Sequence, residues 1–592
     1  MSRNLKKTTL EALVKASPYI VCFIAITVVM NIVLGLSSHN FNIPFFYDGG
    51  DAAVTLYRSF EMKTDYSLFG FNQLGTPMGS NTYDFYVFDI GLFVIQFLIA
   101  LFSPNFIVGF NIFLIAGAWF NGMAALYSLR RLKFAAPVSV MIAVVYSCLP
   151  YFFMRYSSHT YLAYYFAAPL AITIAIELYR EEFVFDFKKE TRKQSIINAI
   201  ILFVIGTTGV YYAVFSCLYF LMVAMLRGME DLKFKSTLLS IKAIGVTFAG
   251  FFVGVLPAAI YWMTHGLPYM FKMRTGFLWG GEVYGLKLTE LILPNVHSRI
   301  GKFHTLRNNY DSVFGYSESM TASLGLLFTI GLAIALIYIF RIAKSDKKDI
   351  LRPVSLLIVA SILIATRGGI GTFLAIIFPF VRAYNRISVF IAFLCAIALA
   401  WGLTALYNII KAKMKKTIVL NIISVVLLLG MMAGGVYEQS FIIFNLEEGY
   451  KIMYDEDDVF VNDVVNYATS LDPDDDMVDC LFLPYMDFPE NGKPTAGFLV
   501  GYEPMLLCVH SEKLGVSFGA PRGREFSDKL WNVSRSGADE NIAFARENGY
   551  DGIIIDFGAI QTMNPVAYMR IVNDLGEPDY ISGKYAFWSL ED

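Results

Sequence analysis

Charge is scarce in this chain. Only 16% of its 592 residues are Asp, Glu, Lys or Arg, against roughly a quarter in an ordinary soluble protein. Hydrophobic residues reach 56% and the mean hydropathy is +0.54, which excludes a soluble enzyme and any disordered or collagen-like chain. A formal net charge of −2 leaves no bulk attraction for nucleic acid. Cysteine is rare as well. Cys22, Cys148, Cys217 and Cys395 lie in apolar segments, where a thiol acts as a small buried hydrophobe. Cys480 and Cys508 are the one pair placed to form a disulfide, and their spacing fits no zinc pattern. Walker motifs, a strand-borne GxGxxG and a serine nucleophile elbow are all missing, which excludes a nucleotide-driven pump at the level of motifs. No tandem repeat is visible.

What is present in quantity is long apolar sequence. A spanning helix needs roughly 20 apolar residues, and fewer inside a bundle. Eleven runs qualify, near 16–36, 107–129, 134–151, 161–180, 195–207, 210–226, 238–262, 321–341, 352–366, 387–410 and 417–437. One further run, Tyr86 to Phe102, would reverse every later loop if it crossed. Lys and Arg concentrate in cytoplasmic loops, and they decide the matter. With 86–102 outside the count, inner loops hold 25 of them and outer loops 12. Asp89 and Gln96, seven apart on one helical face, suit a re-entrant or interfacial helix there. The expected architecture is therefore an α-helical polytopic bundle of about eleven spans with its N-terminus in the cytoplasm.

The composition breaks near residue 438. From Glu438 to Asp592 there are 29 acidic residues and 10 basic ones. Strand-like runs at Asp479–Pro484 and Gly552–Phe557, helical patterns at 538–548 and 564–575, and a closing pair at 578–590 describe a small α/β domain. The expected division is a membrane domain over 1–437, with a first outer loop at 37–106 and a long outer loop at 263–320, then an acidic extracytoplasmic domain over 438–592. The runs Asp455–Asp458 and Asp474–Asp476 lack the Gly and final Glu of an EF-hand loop and read as solvated turns.

Four groups could carry chemistry. The first loop reads Tyr47-Asp48-Gly49-Gly50-Asp51, placing two carboxylates on a permissive backbone at the membrane surface. Such a carboxylate deprotonates an acceptor hydroxyl or holds a divalent cation; alternatively it caps the helix that follows. Arg155 and His159 pair a fixed charge with a titratable ring, where interfacial anchoring is the plainer alternative. Arg382 and Arg386 are four apart on one helical face and stand on the outer side, against the usual bias, as an anion site would require. Arg367 stands near them. In the long loop, Trp279, Glu282, Tyr284, Tyr316 and Glu318 mix aromatic faces with acids, as a sugar site does. His297 and His304 are seven apart without an HExxH context, so zinc is not expected.

Taken together, Tyr47 to Asp51, Leu74-Gly75-Thr76-Pro77-Met78-Gly79 with Tyr83-Asp84-Phe85, Arg155 to His159, Leu293-Pro294-Asn295 and Phe380 to Arg386 resemble the C-type (GT-C) membrane glycosyltransferases. The branch most similar is bacterial and carries a C-terminal extracytoplasmic α/β domain, to which Leu483-Pro484, Phe488-Pro489-Glu490, Ser517-Phe518-Gly519-Ala520 and Gly549 to Asp556 correspond. The resemblance implies inverting transfer of a sugar from a polyprenyl-phosphate donor to an envelope glycan or lipid acceptor, outside the cytoplasmic membrane. It implies Asp51 as the catalytic general base, or as the group that orients the acceptor, with Asp48 beside it in the catalytic site. Arg382, Arg386 and Arg155 would hold the donor phosphate, while His159, Tyr47, Trp279, Glu282, Tyr316 and Glu318 would contact substrate. No cofactor is required by it, though a divalent cation stays open. The chain departs from oligosaccharyltransferases in lacking a Trp-Trp-Asp motif and an Asp-x-Glu in the second outer loop. A lipid-linked glycan flippase and a non-catalytic envelope assembly factor remain as alternatives. The nearly apolar mid-span residues weigh against the flippase.

Overall fold

Proline and charge decide where the apolar runs stop being helix. The computed structural model describes residues 2–85, 88–231, 234–275, 279–414, 417–441, 447–473, 476–489, 494, 499–561 and 572–590. Its first half contains α1 (Ser2–Leu34), α2 (Asp51–Thr64), α3 (Ile90–Phe102), α4 (Phe106–Arg131) and α5 (Ala136–Ser147). Then follow α6 (Pro150–Arg155), α7 (Ala167–Tyr179), α8 (Arg192–Thr207), α9 (Val210–Asp231) and α10 (Phe234–His265). The long loop holds α11 (Tyr269–Thr275), α12 (Gly280–Val283) and α13 (Gly301–Phe314). Next come α14 (Gly325–Ile339), α15 (Leu351–Ala365), α16 (Ile370–Ile377), α17 (Ser388–Lys413) and α18 (Thr417–Gln439).

Seven of these stretches are long and apolar enough to cross a membrane: α1, α4, α5 with α6, α9, α10, α17 with its preceding turn, and α18. The protein is a multi-pass membrane protein. Four expected runs fold as helices shorter than those seven. The runs at 161–180, 195–207, 321–341 and 352–366 fold as α7, α8, α14 and α15, of 13, 16, 15 and 15 residues. Helix α7 starts late because Thr160–Ala163 first form a 3-10 turn and Pro169, without an N–H, fits only in a first turn. The run at 134–151 is divided for the same reason: α5 ends at Ser147, and Pro150 opens α6. Helix α3, in the segment between Tyr86 and Phe102, has 13 residues; Tyr86 itself lies outside the described residues.

Small residues let the helices approach closely, as they do where lipid supplies no hydrophobic drive. A Cβ on Gly206 would stand 2.0 Å from the Thr247 carbonyl, and one on Gly331 would stand 2.0 Å from that of Cys395. Thus α8 lies against α10, and α14 against α17. At one end of the bundle charges in the terminal turns of helices pair with each other: Arg131 of α4 with Glu177 of α7 at 2.5 Å and Arg352 of α15 with Glu230 of α9 at 2.9 Å.

The other end carries the acidic domain. It begins with α19 (Glu447–Leu471) and includes α20 (Glu525–Val533) and α21 (Ala538–Glu547). The membrane domain's first loop has a short hairpin, β1 (Gly70–Phe71) and β2 (Ser80–Asn81). The acidic domain contributes β3 (Val478–Leu483), β4 (Leu514–Val516), β5 (Gly552–Asp556), β6 (Tyr580–Ser582) and β7 (Tyr585–Ser589), in the order β4-β3-β5-β7-β6. β3 runs parallel to β4 and β5, while β7 is antiparallel to β5 and β6. The helical pattern at 564–575 falls mostly outside the described residues, as do Asp474, Asp475 and Glu490. Cys480 and Cys508 are both buried free thiols.

The first loop extends this sheet. Val516 donates to the Gln73 carbonyl at 2.8 Å, Thr76 to that of Val516 at 3.2 Å and Gly75 to that of Phe518 at 2.8 Å. The segment 73–76 therefore runs parallel to β4 as an added edge. Ahead of it, Gly49 takes φ +70, and a Cβ there would stand 2.7 Å from both Glu503 Cβ and the Val500 carbonyl. Left-handed backbone costs an L-residue about 1–2 kcal/mol, and the clash adds to that. Gly49→Ala should accordingly lower the thermal midpoint of the purified protein by several degrees, and a variant melting with the wild type would show that the contact bears no weight.

Candidate functional site

Helix α2 sets the site's first wall. Asp51, Thr55 and Arg58 recur at helical spacing and so face one way. Gly50, not Asp51, occupies the cap position, and no side chain caps the helix. The turn is instead closed by Asp48, whose Oδ1 accepts the Gly50 N–H at 3.1 Å. Asp51 is thus the first helical residue, where the helix dipole favours a negative charge, with its carboxylate left for other partners. Its Oδ2 stands 3.1 Å from His159 Nδ1.

Around this wall lies a cavity of about 340 Å³. Asp51, Thr55 and Arg58 line it from α2, and Phe85 and Asp89 from the loop before α3. His159, Thr160 and Tyr161 come from the turns after α6, and Tyr211 from α9. Tyr284, Glu318, Arg382 and Arg386 complete the lining, and Tyr502 enters from the acidic domain.

The arginines are held by rings and one acid. The Arg386 guanidinium lies 4.2 Å from the Tyr211 ring centre, and that of Arg382 lies 5.0 Å from Tyr284. Arg386 also donates to Glu318 Oε1 at 3.1 Å, and Arg155 donates to the same oxygen at 2.6 Å. Burial opposes charge on Glu318, but Arg386, Arg155 and His159 outweigh it and hold the carboxyl down at about 2. Arg155 stands behind Glu318, 3% exposed and outside the cavity lining.

Of the residues singled out in the sequence, Asp51, His159, Tyr284, Glu318, Arg382 and Arg386 share this cavity, together with Phe85 and Asp89. The others are placed elsewhere. Asp48 is spent on the Gly50 turn and lies within 3.5 Å of the Tyr450 hydroxyl. Tyr47 is fully buried between the domains, with its hydroxyl 2.7 Å from both Asp457 Oδ2 and His510 Nε2. Trp279 and Tyr316 are 61% and 73% exposed, and Glu282 is exposed beside them on the loop; none of the three lines the cavity. Aromatic and acidic composition over the long loop signalled a sugar site, but the loop turns most of those side chains outward.

The cavity also has members that the sequence reading passed over. Arg58 is seven residues from Asp51 and so on its face, a signal that was available. Its guanidinium sits among rings, 4.0 Å from the centre of Phe93 and 5.5 Å from that of Phe71. Tyr502 had no local signal; it arrives because the acidic domain folds over the first loop, donating its backbone N–H to the Gly49 carbonyl at 2.5 Å. Among the described residues, no three His, Cys, Asp or Glu side chains cluster as metal ligands.

Glu318 holds two guanidinium groups in place, and removing one partner of a buried pair costs about 3–5 kcal/mol. Its folded carboxyl lies below the ordinary value near 4.3. It therefore contributes stability that is complete above that value and is lost as pH falls toward about 2. Glu318→Gln should melt at lower temperature at neutral pH and lose part of the wild type's acid sensitivity between these values. Identical acid profiles for the two proteins would refute the pairing.

No family model matches the chain, and no curated protein matches it. Solved structures do. The oligosaccharyltransferase of Archaeoglobus fulgidus, in its apo form, aligns over 91% of this chain and 69% of its own, at 13% identity and a TM-score of 0.51. ArnT from Cupriavidus metallidurans, bound to undecaprenyl phosphate, aligns over 97% of this chain and 98% of its own, at 10% identity and a TM-score of 0.50. Both alignments take in the bundle and reach into the acidic domain, and by them the chain shares the fold of these two structures.

Proposed function

We propose that this protein transfers a sugar from a polyprenyl-phosphate carrier to a glycan or lipid acceptor of the bacterial cell envelope, on the extracytoplasmic side of the cytoplasmic membrane. The observation that carries the reading is one cavity lined by a carboxylate, Asp51, and by two arginines, Arg382 and Arg386. ArnT, with which the fold is shared, is bound to undecaprenyl phosphate.

The chemistry follows from the two walls. Asp51 takes the proton of the acceptor hydroxyl as its oxygen attacks the anomeric carbon. The bond from that carbon to the phosphate oxygen breaks, its electron pair leaves with the polyprenyl phosphate, and the configuration inverts. Arg382 and Arg386 meet the growing phosphate charge with fixed donors. His159, 3.1 Å from Asp51, orients the carboxylate.

Release of polyprenyl phosphate from a labelled lipid-linked sugar tests the proposal directly, since a flippase or an assembly factor breaks no bond. Asp51→Asn keeps shape but loses basicity, so transfer should fall about 10²-fold or more while donor binding holds. Arg382→Ala or Arg386→Ala should weaken donor binding too, because the phosphate contact exists before and during reaction. Wild-type turnover by Asp51→Asn would overturn the assignment.

The loop count of 25 inner against 12 outer basic residues supports the proposed sidedness. The native cysteines are buried or half-buried, so an added one reports its own side. In intact cells an impermeant maleimide should label Asn532→Cys and reach Lys347→Cys only after permeabilisation. Labelling of both from one side would sink the topology.

A further inference from the structure

Asp89 lines the cavity from the position just ahead of α3. It immediately precedes α3 but makes no capping hydrogen bond with its side chain; only its backbone carbonyl serves the helix, accepting from Leu92 at 2.8 Å and Phe93 at 3.0 Å. The residue is 6% exposed and lines the cavity. Among the described residues its carboxyl has no hydrogen bond and no ion pair. A carboxyl that lines a cavity without a protein hydrogen bond is open to one from a ligand.

Its surroundings are rigid and specific. A Cβ on Gly209 would stand 1.9 Å from Asp89 Oδ1, so the carboxyl packs against bare backbone on one side. Across from it Arg58 is stacked on Phe93 and donates to the Tyr161 hydroxyl at 3.5 Å. That hydroxyl in turn donates to Gln96 Oε1 at 2.7 Å, and Gln96 is anchored on the Thr55 carbonyl and Ser59 Oγ, each at 2.8 Å. Thr55 closes the same region from α2. Burial pushes the Asp89 carboxyl up to about 7, with Arg58 and Arg386 opposing, so near neutral pH it can both donate and accept.

We infer that Asp89, backed by Arg58 and Tyr161, forms a sugar-reading end of the cavity that hydrogen-bonds the ring hydroxyls of the carried sugar and so selects which sugar is transferred. This deepens the proposed function and rests on it. Arg382 and Arg386, which line the same cavity, would engage the phosphate common to every carrier lipid. Asp89 would engage only what differs between them.

The division can be read by binding to the full-length protein in nanodiscs. The probes are polyprenyl phosphate alone and the same lipid bearing glucose, galactose or N-acetylglucosamine. The wild type should bind one sugar-bearing lipid more tightly than the others and more tightly than the bare phosphate. Asp89→Leu should reduce that preferred affinity about tenfold or more and leave affinity for the bare lipid phosphate unchanged or slightly raised. Asp89→Asn, which retains hydrogen-bonding capacity, should fall between them and preserves a folded comparison if the leucine variant fails to fold. Arg382→Ala should weaken all four lipids alike. Equal losses for bare and sugar-bearing lipids in the Asp89 variants would overturn the inference, as would a wild type indifferent to the sugar. If Arg382→Ala leaves every affinity intact, the phosphate reading fails, whereas the sugar-dependent difference at Asp89 is still scored. A wild type that binds none of the four removes both.

Discussion

A loop beside a membrane must satisfy its backbone, and everything at the site depends on how the first loop does so. Buried N–H and C=O groups are rarely left unpaired, and outside α2 and the β1-β2 hairpin the segment between α1 and α3 has little regular structure of its own. Asn111 on α4 supplies one solution: its Oδ1 accepts from Phe45 N–H at 2.9 Å, while its Nδ2 donates to the carbonyls of Phe41 and Ile43. The acidic domain supplies the other by taking residues 73–76 as a sheet edge. Between these two anchorages sits α2, which carries Asp51 and Arg58. The placement of the cavity's carboxylate is thereby a matter of backbone hydrogen bonds made far from it.

Electrostatics organises the wall of arginines. Three like charges, Arg155, Arg382 and Arg386, stand close together in a poorly solvated region. Rings and Glu318 make that arrangement stable without consuming it. A guanidinium carries five N–H donors, and Glu318 Oε1 accepts from Nε and Nη2 of Arg386 and from Nη2 of Arg155. Stacking on Tyr211 and Tyr284 fixes direction without using an N–H. The wall is therefore preorganised, and an arriving anion need not drag the arginines into place.

How much of this was legible beforehand depends on the kind of signal. Apolar runs give helices, and each expected run is helical over most of its length. Their exact extents were obscured by Pro150 and Pro169, which interrupt helix without interrupting hydrophobicity. Asp51, Arg382 and Arg386 could be singled out because each is a charge in an unexpected place. Arg58 obeyed the same rule and could have been found by extending the face of α2 one more turn. Tyr502 could not, because nothing local marks it; only the docking of the acidic domain brings it to the cavity. Tyr47, Trp279, Glu282 and Tyr316 show the converse failure. Residue type suggested ligand contact, whereas tertiary structure gave one to the domain interface and three to solvent.

The sheet edge shared between the first loop and the acidic domain bears on the order of assembly. Gln73 donates to the Leu514 carbonyl at a separation of 441 residues, and Tyr550 to that of Thr76 at 474. During synthesis the loop emerges long before its partners, so it waits with its edge open while the whole bundle inserts. Contacts of such separation form late and carry a large closure cost. A nascent chain stalled anywhere in the bundle would present helices already in place but no closed cavity. The full lining of the cavity thus arrives with the final domain rather than accumulating helix by helix.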